Sequence, residues 1–248
     1  MRNWTYEIYN EENYIKEYDY LYSKLSKARR EKVDRANIDS RKAEELMAGS
    51  LLEDMLQQEL GSQVEFEYYY SDRQKPFLKN SDLFFSISHT AGVVACGISD
   101  KWIGIDVERR GRYKRLVAEK YFSEQELDLL RGHREDLPDD LNSIDDKNYS
   151  AAAYAEEMAS DVGAEATKVD LVFTVLWTAK EAVAKCVDIP VVEVCKKYDM
   201  SYLLADLFSG ADSMSIELEI QDWDGKNHII AVESEIFDDF AISVAFEI

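Results

Sequence analysis

The sequence predicts an α+β fold in which two halves each combine a long helix with antiparallel strands, a pseudo-duplicated arrangement without a strict sequence repeat. Three observations predict it. Apolar residues recur at helical spacing from about Ser40 to Leu60 and again from about Phe173 to Val187. Strand-like runs follow each helix: "VEFEYYY", "LFFSIS", "VVACGIS" and "WIGIDVE" after the first, "SMSIELEI", "HIIAVES" and "FAISVAFEI" after the second. With 248 residues, 46% hydrophobic, ten glycines and three prolines, the chain can bury one larger core or two smaller ones. The halves are drawn at 1–110 and 111–248, with an acidic insertion in the second at about 135–170.

In the first helix, Ala43, Leu46, Met47, Leu51, Met55 and Leu56 form the apolar stripe, and Gly61 is its stop signal. "VVACGIS" and "WIGIDVE", separated by the turn-like "SDK", read as a hairpin. In "FSEQE", Ser123 serves as N-cap and Glu126 stands three residues later, a capping box that opens another helix. Residues 135–170 hold eleven acidic and two basic residues, and read as an irregular excursion with a short helix around "AAAYAEEMA".

Fifty acidic against twenty-nine basic residues give a net charge of −21, which argues against nucleic acid as a partner because phosphate binding needs positive potential. No apolar run is long enough to cross a bilayer, and "MRNWTYEIYNEENY" lacks the basic start and apolar centre of a signal peptide. The expectation is a cytoplasmic protein without membrane association. Cys96, Cys186 and Cys195 form no C-x-x-C pair and are expected to be reduced core thiols. Positive charge is local: six basic against two acidic residues in "KLSKARREKVDR" (24–35), and five basic residues without an acidic one in "RRGRYKR" (109–115). Either stretch could hold an anion or be an ordinary solvated surface.

In "WIGIDVE", Ile103, Ile105 and Val107 alternate with Gly104, Asp106 and Glu108, so a strand buries the first set and turns both carboxylates the other way. Two such carboxylates stand roughly 7 Å apart, close enough to share one hard cation. Gly104 on their face is expected to leave room for a bound group. In "LWTAKEAVAKCV", Thr178, Glu181 and Lys185 fall opposite the apolar stripe of Leu176, Ala179, Val183, Cys186 and Val187. His89 ends a strand before Gly92, with no hydrolase triad around it. The sequence contains neither a P-loop nor a dinucleotide fingerprint.

"KP" (75–76), "SISHT" (86–90), "IGIDVE" (103–108), "FSEQE" (122–126) and "WTAKEAVAK" (177–185), in this order, resemble the motifs of Sfp-type 4′-phosphopantetheinyl transferases. The resemblance implies a pseudo-two-fold duplicated fold of antiparallel sheets packed with helices, with coenzyme A in the cleft between the halves. It also implies transfer of the phosphopantetheinyl arm of coenzyme A to a serine of an apo acyl or peptidyl carrier protein, leaving adenosine 3′,5′-bisphosphate.

By the same resemblance Asp106, Glu108 and Glu181 would bind Mg²⁺, with Mn²⁺ as the alternative ion, and Glu181, Lys185 and Asp106 would be catalytic. Arg29, Lys32, Lys75, Pro76, Ser88, His89, Lys180 and Lys185 would bind coenzyme A, and "RRGRYKR" is the expected docking surface for an acidic carrier. Gln74 departs from the family pattern, which has glycine before the Lys-Pro pair, and Glu44, Glu45 and Glu53 occupy a region usually richer in arginine. The pseudo-repeat implies a monomer. The competing readings are a non-catalytic coenzyme A or carrier-binding protein on the same fold and a metal-dependent hydrolase.

Overall fold

The computed structural model describes residues 1–61, 65–111, 113–132, 168–205, 207–222 and 224–248. Its elements are β1 (Arg2–Ile8), α1 (Glu11–Lys24), α2 (Lys27–Arg35), α3 (Asp39–Leu60), β2 (Tyr68–Tyr70), β3 (Pro76–Leu78), β4 (Phe84–Thr90), β5 (Val93–Ser99), β6 (Ile103–Arg109), α4 (Arg115–Tyr121), α5 (Glu124–Gly132), α6 (Lys168–Val187), α7 (Val191–Lys197), β7 (Ser213–Gln221), β8 (Asn227–Ile236) and β9 (Phe240–Glu247). The acidic insertion falls outside the described residues, except that Lys168–Asp170 belong to α6.

Helices and antiparallel sheets are mixed as expected for an α+β fold. One sheet has the order β1-β5-β4, a second β6-β9-β8-β7, and β2-β3 form a small ribbon. The long helix α3 lies on the first sheet, where Leu52, Met55 and Leu56 pack with Phe85, Cys96 and Ile98. Its stop is the one expected: Gly61 has φ 93° and its N–H closes the last turn onto Gln57 O at 2.9 Å. Helix α6 lies on the second sheet. The capping box also forms: Ser123 N donates to Glu126 Oε2 at 2.9 Å, and Glu126 N donates to Ser123 Oγ at 3.1 Å.

Two expectations are corrected. The strands β5 and β6 are no hairpin: β5 pairs with β1 and β4, and β6 pairs antiparallel with β9, from Ile103↔Phe246 to Arg109↔Phe240. Both edges of β5 are occupied, one by the N-terminal strand Arg2–Ile8 that the sequence reading did not identify. The chain therefore crosses from one sheet into the other at residues 100–102, and β6 belongs to the second sheet although the halves were drawn at 110.

The second correction concerns Gly104. A Cβ there would lie 2.0 Å from Ala182 O and 2.4 Å from Cys186 N, so the missing side chain admits α6, not a ligand. Consequently β6 is buried on both faces. Ile103, Ile105 and Val107 join Val93, Ala95, Phe240 and Val244 on one face, and α6 covers the other. The polar face of α6 is likewise internal, with Thr178 Oγ1 2.8 Å from Ser243 Oγ on β9.

Helix α6 starts a turn earlier than the apolar stripe suggested. Asp170 is buried in that extra turn, and accepts from Gly111 N at 2.5 Å and Tyr113 N at 3.0 Å. This ties α6 to the segment leaving β6 and sets the helix over the carboxylate-bearing strand. Among the described residues no helix is long and apolar enough to cross a membrane. All three cysteines are free and buried.

Candidate active site

The site forms where β4, β6 and α6 meet. On β4 the polar residues Ser86, Ser88 and Thr90 share one face by the two-residue period of a strand, and that face meets β6. Ser86 Oγ accepts from Ile105 N at 3.0 Å, Ser88 Oγ donates to Asp106 Oδ1 at 2.7 Å, and Thr90 Oγ1 donates to Glu108 Oε2 at 3.4 Å. This row locks β4 to β6 and orients both carboxylates. Its signal, S-x-S-x-T within "SISHT", was in the sequence, but Ser86 and Thr90 were not singled out as positioning residues.

From α6, Lys185 Nζ donates to Asp106 Oδ1 at 2.6 Å and to Ser88 Oγ at 3.0 Å, and stands 3.9 Å from Glu181 Oε2. Asp106 is 2% exposed, and its other oxygen, Oδ2, is buried with no hydrogen-bond partner among the described residues. An unsatisfied buried carboxylate oxygen is costly and marks a place for a ligand.

The electrostatics agree. Burial, then the Asp106 carboxylate, pushes the Glu181 carboxyl up to about 7, with Lys185 opposing and Glu108 adding to the rise. For Lys185 burial disfavours the ammonium, but the carboxylates of Asp106 and Glu181 outweigh it and raise its pKa. Three carboxylates thus crowd around one lysine.

The fit of a divalent cation follows from the donor set. Among the described residues Asp106 Oδ2 lacks a partner, Glu181 is held toward its neutral form first by burial and then by the Asp106 carboxylate, and hard oxygen donors suit Mg²⁺. Among the described residues no group of three His, Cys, Asp or Glu side chains is already gathered closely enough to hold a metal. The Lys185 ammonium lies among these carboxylates and supplies the positive charge.

Two cavities meet at Glu181 and Val191. One, of about 390 Å³, is walled by Glu108, Tyr121, Phe173, Trp177 and Cys195. The other, of about 550 Å³, is walled by Arg73, Lys75, Pro76, Ser86 and Lys185.

Other residues singled out from the sequence sit apart from this cluster. Lys180 is fully buried and points to the opposite side of α6, where its Nζ is 2.8 Å from Glu126 Oε1 and donates to Tyr198 O at 2.8 Å. It fastens α5 and the segment after α7, so its ammonium is not available to a coenzyme. Lys75 keeps its backbone on the cavity wall, but its Nζ donates to Lys185 O at 2.5 Å and Cys186 O at 2.7 Å, neutralising the C-terminus of α6.

Gln74 has φ 67°, so the turn keeps the left-handed backbone that glycine adopts freely although the residue is not glycine. Arg29 is 2% exposed, and among the described residues its three guanidinium nitrogens are buried without hydrogen-bond partners, the group lying 5.4 Å from the Tyr68 ring centroid. Lys32 faces the Tyr70 ring at 5.5 Å. His89, next to Ser88, points to the other face of β4, where Nδ1 is 3.3 Å from Glu44 Oε2 on α3.

The basic run after β6 is also partly internal. Arg109 pairs with Asp239 and donates to Ala91 O, and Arg110 donates to Asp238 O at 3.1 Å. These two arginines join β6 to the β8–β9 turn. Arg115 pairs with Glu119 at 2.9 Å, and Arg112 lies outside the described residues.

The chain shares 40% identity over 57 residues with "4′-phosphopantetheinyl transferase gsp" of Aneurinibacillus migulanus, an alignment covering 23% of this chain and 24% of that protein. The chain therefore spans about a quarter of the length of this curated relative in the match. The family pattern described as 4′-phosphopantetheinyl transferase superfamily matches residues 103–245, from β6 through α6 to β9, which is more than half of the chain. By that match, over the strand and helix that build the carboxylate cluster, the chain belongs to the 4′-phosphopantetheinyl transferase superfamily.

Proposed function

We propose that this protein transfers the 4′-phosphopantetheine group of coenzyme A to a serine hydroxyl of an apo acyl or peptidyl carrier protein, releasing adenosine 3′,5′-bisphosphate. The observation that carries the reading is the partnerless Asp106 Oδ2 in the Asp106–Lys185–Glu181 cluster, placed where two cavities join. In the reaction the serine Oγ bonds to the phosphorus that carries the pantetheine arm. The bond from that phosphorus to the bridging oxygen of the adenosine bisphosphate breaks, and the serine proton goes to a base.

Glu181 is the base in this reading. A carboxyl raised to about 7 exchanges its proton near neutral pH, where a base is most effective. Lys185, held by Asp106 and Ser88, presents a fixed positive charge to phosphate oxygens. Asp106, Glu108 and Glu181 would hold Mg²⁺, with Mn²⁺ as the alternative; when bound, the ion neutralises the negative charge that builds on the pyrophosphate. The nucleotide takes the larger cavity beside Pro76 and the backbone of Lys75. The pantetheine arm takes the aromatic cavity lined by Trp177 and Phe173.

The test is intact-protein mass spectrometry of several apo carrier proteins incubated with this protein, coenzyme A and Mg²⁺, with Glu181→Gln in parallel. A gain of one phosphopantetheinyl mass is expected, with a rate at least about 10³-fold lower in the variant. No gain on any carrier despite coenzyme A binding would replace the transferase by a binding protein on the same fold. Release of free phosphopantetheine would make it a hydrolase.

A further inference from the structure

The turn between β2 and β3 and the end of α6 both line the larger cavity, the first through Arg73 and Lys75, the second through Lys185 and Asp188. An α-helix leaves its last four carbonyls without partners inside the helix. Here Ile189 N reaches Ala184 O at 3.2 Å, and the next two carbonyls are met from the turn: Lys75 Nζ donates to Lys185 O at 2.5 Å and to Cys186 O at 2.7 Å. Arg73 Nη1 adds a bond to Asp188 O at 2.8 Å, where the chain has just left the helix with φ 53°.

The turn itself is tied together around both cations. Ser71 Oγ accepts from Arg73 N at 3.2 Å and from Lys75 N at 3.1 Å, and Ser71 N donates to Lys75 O at 2.9 Å. The Lys75 ammonium lies 5.7 Å from the ring centroids of both Phe77 and Trp102, so aromatic rings join the helix carbonyls in holding its charge. Lys185 is therefore gripped at both ends: its carbonyl by Lys75, its ammonium by Asp106 at 2.6 Å and Ser88 at 3.0 Å. Removing the Lys75 ammonium leaves two helix carbonyls short of a donor and frees the main chain of the residue whose charge faces the phosphates.

We infer that Lys75, with Arg73 beside it, is a positioning residue for the transfer: it acts through the Lys185 main chain to fix where the Lys185 ammonium stands, and its own ammonium is not a phosphate ligand. This role rests on the proposed transferase reading and adds to it two residues more than a hundred positions away in sequence from the lysine they place.

The test sets kcat for transfer against calorimetric affinity for coenzyme A, in the full chain with Mg²⁺, for the unaltered protein, Lys75→Met, Lys75→Arg and Arg73→Ala. Lys75→Met and Arg73→Ala are also each combined with Lys185→Met. Lys75→Met should lower kcat by about 10- to 100-fold, the cost of a misplaced catalytic group, while coenzyme A affinity stays within about twofold. Lys75→Arg should recover most of that rate, since a guanidinium can donate to both carbonyls. Arg73→Ala, at an exposed residue, should lower kcat by about threefold and carries the test if Lys75→Met does not fold. With Lys185→Met in place, both losses should shrink to within about twofold, because the group they position is gone. Losses of undiminished size in that background would make the two residues merely structural and overturn the inference. So would a loss of coenzyme A affinity above about tenfold with kcat kept, the mark of a direct ligand. Absence of transfer by the unaltered protein to any carrier would overturn the transferase reading itself and this role with it.

Discussion

Lys180 and Lys185 stand five residues apart on α6, and each contacts a buried carboxylate. Their surroundings differ in one respect. Around Lys180 the polar groups are matched: Glu126 accepts from Lys180, Ser123 N and Met200 N, and Lys180 also donates to Tyr198 O. Around Lys185 they are not, since Asp106 keeps a partnerless oxygen and Glu181 is pushed up to about 7. A saturated buried pair fixes a fold, whereas an unsaturated one retains binding capacity that a ligand can use.

The strongest way to break this comparison is to remove each ammonium in turn. Lys180→Met should lose about 3–5 kcal/mol of stability, because Glu126 is left charged and buried, and Mg²⁺ should not restore it. Lys185→Met should lose less, about 1–3 kcal/mol, and regain it in Mg²⁺ as the cation replaces the ammonium among the carboxylates. Urea unfolding with and without Mg²⁺ measures both. Equal Mg²⁺ responses from the two variants would remove the distinction.

Next in size is the pH dependence of Glu181. Its carboxyl is raised in the folded chain from an ordinary 4.5 to about 7, so between those values the folded state binds more protons than the unfolded. Stability from this group is therefore full below about pH 4.5, falls as pH rises toward 7, and is flat above, a loss of up to about 3 kcal/mol. Glu181→Gln should flatten that slope, and so should Mg²⁺, with release of a proton on binding. Unfolding at pH 5 and pH 8 decides it; parallel curves for the two proteins would show that Glu181 does not titrate in this window.

The smallest effect sharpens the contrast between site and scaffold. Gln74→Gly should stabilise the chain by about 0.5–1 kcal/mol, the relief of a left-handed non-glycine backbone partly offset by greater freedom when unfolded. A lower midpoint in thermal unfolding would mean that the Gln74 side chain contributes more than its backbone costs.

Much of the site was legible in the sequence because it depends on local periods. The two-residue period put Asp106 and Glu108 on one face of β6, and the 3.6-residue period put Glu181 and Lys185 on one face of α6. The capping box at Ser123 and the stop at Gly61 were legible for the same reason. The fates of Lys75, Lys180, Arg29 and Gly104 were not, because each depends on an element distant in sequence. Lys75 caps a helix 110 residues away, and Gly104 admits the backbone of α6.

The sequence by itself determined which residue types share a face, and with them the α+β class and the chemistry available. Only the tertiary structure decided which faces meet. Strand β6 left its expected hairpin for β9 because both edges of β5 were taken, and the carboxylate face that would otherwise be solvated was closed over by α6. Pairing of sheet edges and close packing of a helix on a strand are long-range choices, set by which arrangement buries the most apolar surface while satisfying the backbone, and local spacing carries no record of them.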